Sequence, residues 1–345
     1  MTYTGLTRGG LQLKDTAPIF VVGMPRSGTT LLASLLSAHS AIAVGPETNY
    51  FSRVWKPLAR GPGFRDWDVV EATMVQWFKK PTLQPMNLPR QQLLDTFRTA
   101  WERGKLTHRF ILSHIMEQHA EKRGRAIWGE KTPEHFMYVP AIKRVFPDAR
   151  IVAIIRDPRD VHLSLLQVPW NRGNAFNHAF QWRQYQVLSH RYKTFYKDDY
   201  LTTRFEDLIT DPRSEMKRVA ADLQLSFEDN MLVRYRQEPL FDPKQEPWKQ
   251  RTTTAIDASN AYKWRTRMAD EEIGIFSFVC GSYLKRHGYE VPGESRFHSK
   301  EALAGLDRRA LLWWARTRWR VSRNRDPWTD QPIEWSRTPS GVPIN

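Results

Sequence analysis

Residues 18–32 read Pro18-Ile-Phe-Val-Val-Gly-Met-Pro-Arg-Ser-Gly-Thr-Thr-Leu-Leu32, and this stretch decides the fold. The apolar run Ile19–Val22 predicts a buried strand. Leucine spacing over Thr29–Ser37 predicts a helix that starts directly after a tight turn with two glycines and a proline. A strand, a turn of small residues and a helix N-terminus together form an anion site. Free backbone N–H groups and the positive helix end meet there.

The turn is similar to the ATP-binding P-loop, G-x-x-x-x-G-K-[ST], with one departure. Thr29 stands where that pattern has lysine. Because kinase-type P-loops use this lysine on the β- and γ-phosphates, its replacement disfavours γ-phosphoryl chemistry. Arg26, three residues earlier, is the cation of this turn instead.

Strands and helices alternate along most of the chain. Further strands are predicted at residues 41–44, 125–130, 149–155 and 200–205. Helices are predicted at residues 69–79, 90–103, 133–146, 158–166, 175–196, 212–223, 227–235 and 270–287, and Gly288 is expected to end the last one. This alternation predicts an α/β fold, a P-loop-like three-layer sandwich with a central parallel sheet. We expect its domain to span residues 1–290.

Two segments differ in composition from the rest. In residues 50–125, tryptophans alternate irregularly with prolines and charged residues, and this composition predicts a helical insertion. It forms either the substrate side of the site or a structural cap with its own small tryptophan core. Residues 291–345 form a basic, tryptophan-rich extension with a predicted helix near residues 300–323. We expect this helix to dock on the protein or a second subunit; the alternative is peripheral contact with an acidic membrane.

Composition narrows the classes of partner. The 345 residues carry a formal charge of +15, which favours polyanionic partners, although a basic chain can also lack any specific one. Cys280 is the only cysteine, so no intrachain disulfide can form and a reducing compartment is expected. We recognise neither a signal peptide nor an apolar run of membrane-spanning length. A cytoplasmic protein is therefore expected.

A second motif follows another predicted strand. It reads Arg156-Asp-Pro-Arg-Asp-Val-His-Leu-Ser164. Asp157 suits a helix N-cap and Pro158 suits the first helical position. A guanidinium fork matches a phosphate dianion, and a serine hydroxyl adds a hydrogen bond. Taken alone, Arg156 would more often form an ion pair with Asp157 or Asp160, but two such motifs, each at a junction of strand and helix, disfavour that alternative.

Together the two motifs resemble those of the sulfotransferases that use PAPS (3′-phosphoadenylyl sulfate), closest to the tyrosylprotein branch and related bacterial enzymes. The resemblance runs from about residue 18 to 289. It implies that the first loop holds the 5′-phosphosulfate through Arg26, Ser27, Gly28, Thr29 and Thr30. It also implies that Arg156 and Ser164 grip the 3′-phosphate. The resemblance also implies further contacts with the nucleotide, from Phe205 near the adenine and from Arg251 and Lys263 in a segment that closes over the cofactor.

The same resemblance suggests the catalytic groups. Gly45-Pro-Glu-Thr48 matches the segment that carries the glutamate base of the tyrosylprotein branch, which assigns the base to Glu47. We expect burial to raise its pKa. Lys131 and Arg26 resemble the cations that neutralise the sulfuryl group and the leaving oxygen, so no metal is expected. His135 remains an alternative base.

The leading hypothesis is transfer of a sulfuryl group from PAPS to a hydroxyl of a metabolite, glycan or lipid. One alternative is a P-loop kinase or nucleotide hydrolase. A further alternative is a non-catalytic basic protein that binds nucleic acid or a membrane. Under the leading hypothesis no nucleic acid partner is expected. The sequence defines neither the acceptor nor the oligomeric state.

Overall fold

A sheet of five parallel strands forms the centre of the protein in the computed structural model, which describes residues 17–61, 63–171, 173–237, 240–241, 244 and 246–292. The strands are β1 (Ile19–Gly23), β2 (Ile42–Val44), β3 (Ile127–Lys131), β4 (Arg150–Ile155) and β5 (Tyr200–Arg204). Their order across the sheet is β2-β3-β1-β4-β5, and every neighbouring pair is parallel. The predicted central parallel sheet is confirmed.

Helices connect and cover these strands. Within the described residues the α-helices are α1 (Thr29–Ser37), α2 (Lys56–Arg60), α3 (Trp67–Phe78), α4 (Arg90–Glu102), α5 (His108–Glu121), α6 (Val139–Val145), α7 (Pro158–Leu165), α8 (Ala175–Tyr196), α9 (Phe205–Thr210), α10 (Pro212–Asp222), α11 (Asn230–Val233), α12 (Trp264–Arg267) and α13 (Asp270–Arg286). The predicted bounds of α1 and α8 are confirmed. Sequence reasoning missed α2, α5, α9 and α12, and it extended β5 one residue too far because Phe205 begins α9.

Side chains of β1 show how the layers form. Phe20 and Val22 belong to one buried apolar cluster, whereas Ile19 and Val21 belong to a second cluster on the opposite face. Successive strand residues point to opposite faces, so both faces of β1 are covered. The result is the predicted three-layer α/β arrangement, in which the sheet is the middle layer.

The segment between β2 and β3 is helical, as predicted, and contains α2–α5. Its tryptophans do not form a separate small core. Trp55, Trp67 and Trp77 pack in the same buried cluster as Phe20 of the sheet. The Trp77 indole N–H also donates a hydrogen bond to the Thr48 carbonyl at 2.7 Å. The insertion therefore braces the segment that follows β2.

The described part of the chain contains no helix with the length and apolarity needed to cross a bilayer. Gly288 follows α13 with φ of 71°, which confirms its predicted place after the helix end. From residue 293 onward the predicted extension, with its basic helix near residues 300–323, lies outside the described residues.

Candidate active site

A cavity of about 320 Å³ lies at the carboxyl ends of the strands. Residues that follow each of the five strands line it, which is where parallel α/β sheets bind ligands. Most of the predicted site residues face it: Arg26, Gly28, Thr29, Thr30, Glu47, Arg156, Ser164, Phe205, Arg251 and Lys263. Ser27 and Lys131 are not among the lining residues, and both are buried. One cavity thus gathers residues from positions 26 to 263.

The turn after β1, which is the predicted anion loop, has left-handed backbone at two positions. Arg26 has φ of 73° and Gly28 has φ of 98°, both in the left-handed region. The Ser27 amide donates to the Met24 carbonyl at 3.1 Å and closes the turn. A Cβ at Gly28 would lie 2.4 Å from the Phe205 ring, so only glycine fits there. The loop then leads directly into α1, whose first residues, Thr29 and Thr30, are buried.

The Arg26 side chain connects the two predicted phosphate motifs. Its Nε donates to Ser164 Oγ at 3.1 Å, and its Nη2 donates to the Trp248 carbonyl at 3.1 Å. Burial, followed by repulsion from Arg156 and Arg251, lowers the pKa of Arg26 to about 10. Guanidinium groups that repel one another in a cavity favour the binding of a polyanion.

Arg156 is held from two sides without an ion-pair partner in the described part of the chain. Its Nη1 donates to the Arg26 carbonyl at 3.2 Å and its Nη2 to the Asn260 carbonyl at 3.0 Å. The guanidinium lies 4.3 Å from the Phe205 ring centroid. Burial lowers the pKa of Arg156. The buried Nε has no hydrogen-bond partner among the described residues, so a donor remains for an added acceptor.

The aspartate beside Arg156 has another partner. Asp157 caps α7 by accepting from the Arg159 amide at 3.0 Å, which confirms the predicted N-cap. Its carboxylate also pairs with the Arg159 guanidinium at 2.6 Å, and both side chains are fully buried. The neighbouring acid is therefore neutralised locally by Arg159. The alternative interpretation, an ion pair between Arg156 and a neighbouring aspartate, is not observed among the described residues.

The closing segment contributes two further cations through Asn260. Lys263 Nζ donates to Asn260 Oδ1 at 2.5 Å, and Arg251 Nη1 lies 3.5 Å from the same oxygen. Burial, followed by repulsion from Arg251, Arg267 and Arg156, lowers the pKa of Lys263. This end of the cavity carries an excess of positive charge.

Glu47 lies between two lysines at the other end. Its Oε1 accepts from Lys131 Nζ at 2.7 Å and from Lys249 Nζ at 2.6 Å. Lys131 is fully buried, Lys249 is 8% exposed and the Glu47 side chain is 18% exposed. Lys249 also pairs with Glu246. This clamp joins residues 47, 131 and 249, which are far apart in sequence.

The clamp reverses the expected titration of the carboxylate. Burial raises the pKa of Glu47, as predicted, but the two lysines outweigh burial and lower the pKa to about 2. The expectation of a raised pKa is therefore wrong for this arrangement. The reason is that Lys249, whose presence the sequence did not reveal, adds a second cation to that of Lys131.

Lys131 also connects the carboxylate to the anion loop. Its Nζ lies 3.4 Å from Thr30 Oγ1 on the first turn of α1. Burial lowers the pKa of Lys131, and the Glu47 carboxylate partly opposes this change. The ammonium group thus bridges the end of β3, the helix N-terminus and the carboxylate.

His135, the alternative base, lies away from the cavity. It is fully buried and its Nδ1 lies 2.8 Å from Glu130 Oε2. Its Nε2 accepts from the Phe51 amide at 3.3 Å, so the proton of the neutral ring is on Nδ1. The other oxygen of Glu130 accepts from the amide and hydroxyl of Thr48. This pair holds the segment after β2 in place and leaves no ring nitrogen for proton transfer.

Sequence reasoning missed three contributors from the segment after residue 245: Trp248, Lys249 and Asn260. Their contacts come from one backbone carbonyl, one ammonium and both oxygens of an asparagine. A 3₁₀ turn at Pro247–Thr253 presents the first two. The only signal in the sequence was the unusual length of this proline-rich segment, and length does not identify which residue points inward.

A family model described as the sulfotransferase family matches residues 18–229. The chain belongs to the sulfotransferase family. Within the described residues no group of three or more His, Cys, Asp or Glu side chains is arranged to hold a metal ion.

Known proteins similar to this sulfotransferase include a putative protein-tyrosine sulfotransferase of Caenorhabditis briggsae, 26% identical over 62% of the chain and 68% of that protein. Protein-tyrosine sulfotransferase A of Caenorhabditis elegans is 24% identical over 63% of the chain and only 52% of its own length. A solved sulfotransferase domain from the olefin synthase of Synechococcus PCC 7002 covers 80% of the chain and 96% of that domain. Its TM-score is 0.57 at 20% identity. The last likeness supports the fold.

Proposed function

We propose that this sulfotransferase moves a sulfuryl group from PAPS to an acceptor hydroxyl. The observation that carries the proposal is the hydrogen bond from Arg26 to Ser164, because it joins two anion motifs in one cavity. A nucleotide with phosphate groups on both its 5′ and 3′ oxygens suits two such motifs. A donor with a single phosphate chain would leave the Arg156 motif without a role.

The residues present fit this donor. The 23–30 turn and Arg26 would hold the 5′-phosphosulfate, while Arg156 and Ser164 would hold the 3′-phosphate. The unpartnered Nε of Arg156 and the mutual repulsion of the cations both favour an added anion. Lys263 and Arg251 would add charge from the closing segment, and Phe205 would form the apolar floor. When bound, PAPS supplies the sulfuryl group and a nucleotide leaving group.

Glu47 is the proposed base. Its Oε1 is held by both lysines, and no hydrogen bond reaches its Oε2 from the described residues. We assign Oε2 as the atom that accepts the proton of the acceptor hydroxyl. A carboxylate with a pKa of about 2 is a weak base. Movement of the two ammonium groups toward a bound anion would raise this pKa, because burial favours the neutral acid.

Three cations surround the proposed reaction centre. Arg26 lies in the anion loop, Lys131 lies between the loop and Glu47, and Lys249 approaches from the closing segment. Preorganised charges of this kind stabilise negative charge that develops on a transferred group and on its leaving oxygen. Lys249 is added to the catalytic set that the sequence suggested.

Thermal unfolding tests the proposed donor. We expect 3′-phosphoadenosine 5′-phosphate to stabilise the protein by about 2.7 kcal/mol at a hundredfold excess over its Kd. Transfer of radiolabelled sulfate from PAPS to an acceptor should continue in the presence of EDTA, since cations replace a metal. The proposal would be contradicted if ATP with Mg²⁺ stabilised the protein and 3′-phosphoadenosine 5′-phosphate did not.

A further inference from the structure

A second, smaller cleft of about 210 Å³ adjoins the candidate active site. Pro25, Glu134 and Trp170 line both cavities. Pro25 immediately precedes Arg26, and Glu134 lies three residues after Lys131. The predicted nucleotide contacts Arg156, Phe205 and Lys263 line the main cavity and are not among the residues of the cleft. The cleft therefore adjoins the turn that is proposed to hold the 5′-phosphosulfate, since Met24 and Pro25 line it, and it lies apart from Arg156, Phe205 and Lys263.

Trp170 is an exposed aromatic wall between the two cavities. Its side chain is 45% exposed, which is unusual for a tryptophan. An exposed indole beside a functional cavity offers a flat apolar face to a ligand. The residue lies five positions after the end of α7, on the connection to α8.

The cleft also has polar lining residues. Asn177 and Gln181 lie four residues apart on α8 and therefore share one helix face. Both line the cleft and are partly exposed. No side-chain hydrogen bond of either amide occurs within the described residues, and the exposed Glu134 carboxylate likewise has no ion pair there. Three planar polar groups therefore face the cleft with hydrogen-bonding capacity available.

A buried histidine makes the floor of the cleft rigid. His178 is 4% exposed, and its Nε2 lies 3.0 Å from Asn171 Oδ1. The same oxygen accepts from the Gly173 amide at 3.0 Å, so His178 Nε2 donates. His178 Nδ1 lies 2.7 Å from His162 Nδ1 on α7. These contacts tie Asn171, the residue after Trp170, to α8 and through His162 to α7.

We propose that this cleft is the acceptor subsite and that it binds a saccharide, an inference that rests on the proposed function. A sugar ring has an apolar C–H face, which suits Trp170, and an edge of hydroxyl groups that both donate and accept. Amide side chains and a carboxylate match that edge, because each can pair with neighbouring hydroxyls. An alkyl chain would leave these polar groups buried without partners, at an energetic cost. Pro25 and Glu134 line both the cleft and the main cavity, so a saccharide in the cleft presents a hydroxyl toward these two residues.

An acceptor panel tests the inference directly. Transfer of radiolabelled sulfate from PAPS would be measured to chitotriose, cellotriose and maltotriose, to a tyrosine-containing peptide, to a simple phenol and to a long-chain alcohol. The saccharides are expected to be the preferred class. Preference for the peptide, the phenol or the alcohol would overturn the inference and leave the donor proposal intact.

Two variants locate the subsite. Trp170→Ala, and Asn177→Ala combined with Gln181→Ala, should each raise the KM for the saccharide about tenfold, the effect of losing one or two neutral contacts. Stabilisation by 3′-phosphoadenosine 5′-phosphate should not change in either. Leu166→Ala is the matched control, since Leu166 is 53% exposed near Trp170 but lines neither cavity. Wild-type KM values in both cleft variants would overturn the inference.

Direct binding separates the two proposals. Saturation-transfer NMR with the same trisaccharides needs no donor and no turnover. A signal that is lost in Trp170→Ala would support the subsite even if no sulfate were transferred, and that pattern would contradict the proposed function alone. If the protein binds 3′-phosphoadenosine 5′-phosphate but no trisaccharide, the proposed saccharide subsite is contradicted and the proposed donor is not.

Discussion

The two ends of the main cavity are built in different ways. At the proposed nucleotide end, Arg26 and Arg156 each belong to a short motif at the junction of a strand and a helix. At the proposed acceptor end, which holds the proposed base Glu47, the residues Glu47, Lys131 and Lys249 come from three distant segments, the last one far from any strand. A local motif places its side chains through neighbouring backbone, whereas the lysine clamp depends on the packing of the whole domain.

This difference predicts different failures. Changes at Arg156 and Ser164 should weaken binding of the nucleotide and leave the chemical step much less affected. Changes at the acceptor end should reduce turnover while nucleotide binding persists. Four measurements sharpen or break this division.

The largest effect is expected for Glu47→Gln. Removal of a general base typically lowers kcat by roughly 10²–10⁴-fold. Stabilisation by 3′-phosphoadenosine 5′-phosphate should remain, because a glutamine side chain is similar in shape to glutamate and the two phosphate motifs are unchanged. His135→Gln is the control for the alternative base; it should reduce stability more than it reduces kcat of the folded fraction. Retention of kcat in Glu47→Gln would remove Glu47 from the proposed mechanism.

The pH dependence of stability reports the lysine clamp. Burial raises the pKa of Glu47, but Lys131 and Lys249 lower it to about 2 in the folded protein. Because the pKa of Glu47 is lower in the folded state than in the unfolded state, the ionised carboxylate stabilises the folded protein above pH ~4.5. The stabilisation, roughly 3 kcal/mol in total, is lost as the pH falls toward about 2.

Urea unfolding of wild type and Glu47→Gln measures this effect. The difference in free energy of unfolding between them should stay constant from neutral pH down to about 4.5, and it should narrow as the pH falls from about 4.5 toward about 2. In a Lys249→Met background the pH-dependent part should be smaller, because one of the two cations is gone. A difference that stays unchanged between about pH 4.5 and about pH 2 would show that Lys131 and Lys249 do not control the pKa of Glu47 in solution.

Arg156→Ala should weaken binding of 3′-phosphoadenosine 5′-phosphate by about ten- to a hundredfold, the range for hydrogen bonds to a charged group. Adenosine 5′-monophosphate lacks the 3′-phosphate and serves as the matched ligand, with much smaller loss expected. Arg156→Lys keeps the positive charge but loses the forked guanidinium, so its affinity for 3′-phosphoadenosine 5′-phosphate should lie between those of the wild type and Arg156→Ala. Calorimetry gives the affinities. Equal loss for both nucleotides would assign Arg156 to packing against Phe205 and not to the 3′-phosphate.

The smallest effect is expected for Ser164→Ala. A neutral hydroxyl contributes about one hydrogen bond, so affinity for 3′-phosphoadenosine 5′-phosphate should fall roughly five- to tenfold. Calorimetry against adenosine 5′-monophosphate again isolates the 3′ contact. A drop in kcat larger than the drop in affinity would mean that Ser164 acts through Arg26, whose Nε it binds at 3.1 Å.

Most of the nucleotide end could be predicted from the sequence. The limits of α1, the N-cap Asp157 and the strand-to-helix position of Arg156 all follow from local rules of pattern and capping. Their proposed contacts with the nucleotide remain predictions. Phe205 was placed at the end of a strand, and the structure makes it the first residue of α9. The difference of one residue shows that element ends are harder to predict than element types.

The acceptor end was only partly predictable. Glu47 and Lys131 could be named from their similarity to known motifs, but the contact between them could not. Lys249 had no motif at all, and it was this residue that helped to reverse the expected pKa of Glu47. His135 could be named as an alternative base, but its burial and its contact with Glu130 emerged only from the fold.

The sequence alone determined the strand, turn and helix of residues 18–37, the alternation that makes a parallel three-layer sheet, and the two motifs that match the sulfotransferase family. These features depend on hydrophobic period, backbone freedom and capping, all of which act over a few residues. Only the tertiary structure decided the contact between Arg26 and Ser164, the lysine clamp on Glu47 and the cleft beside Trp170. Charges and clefts depend on distances between segments, and sequence spacing does not encode those distances.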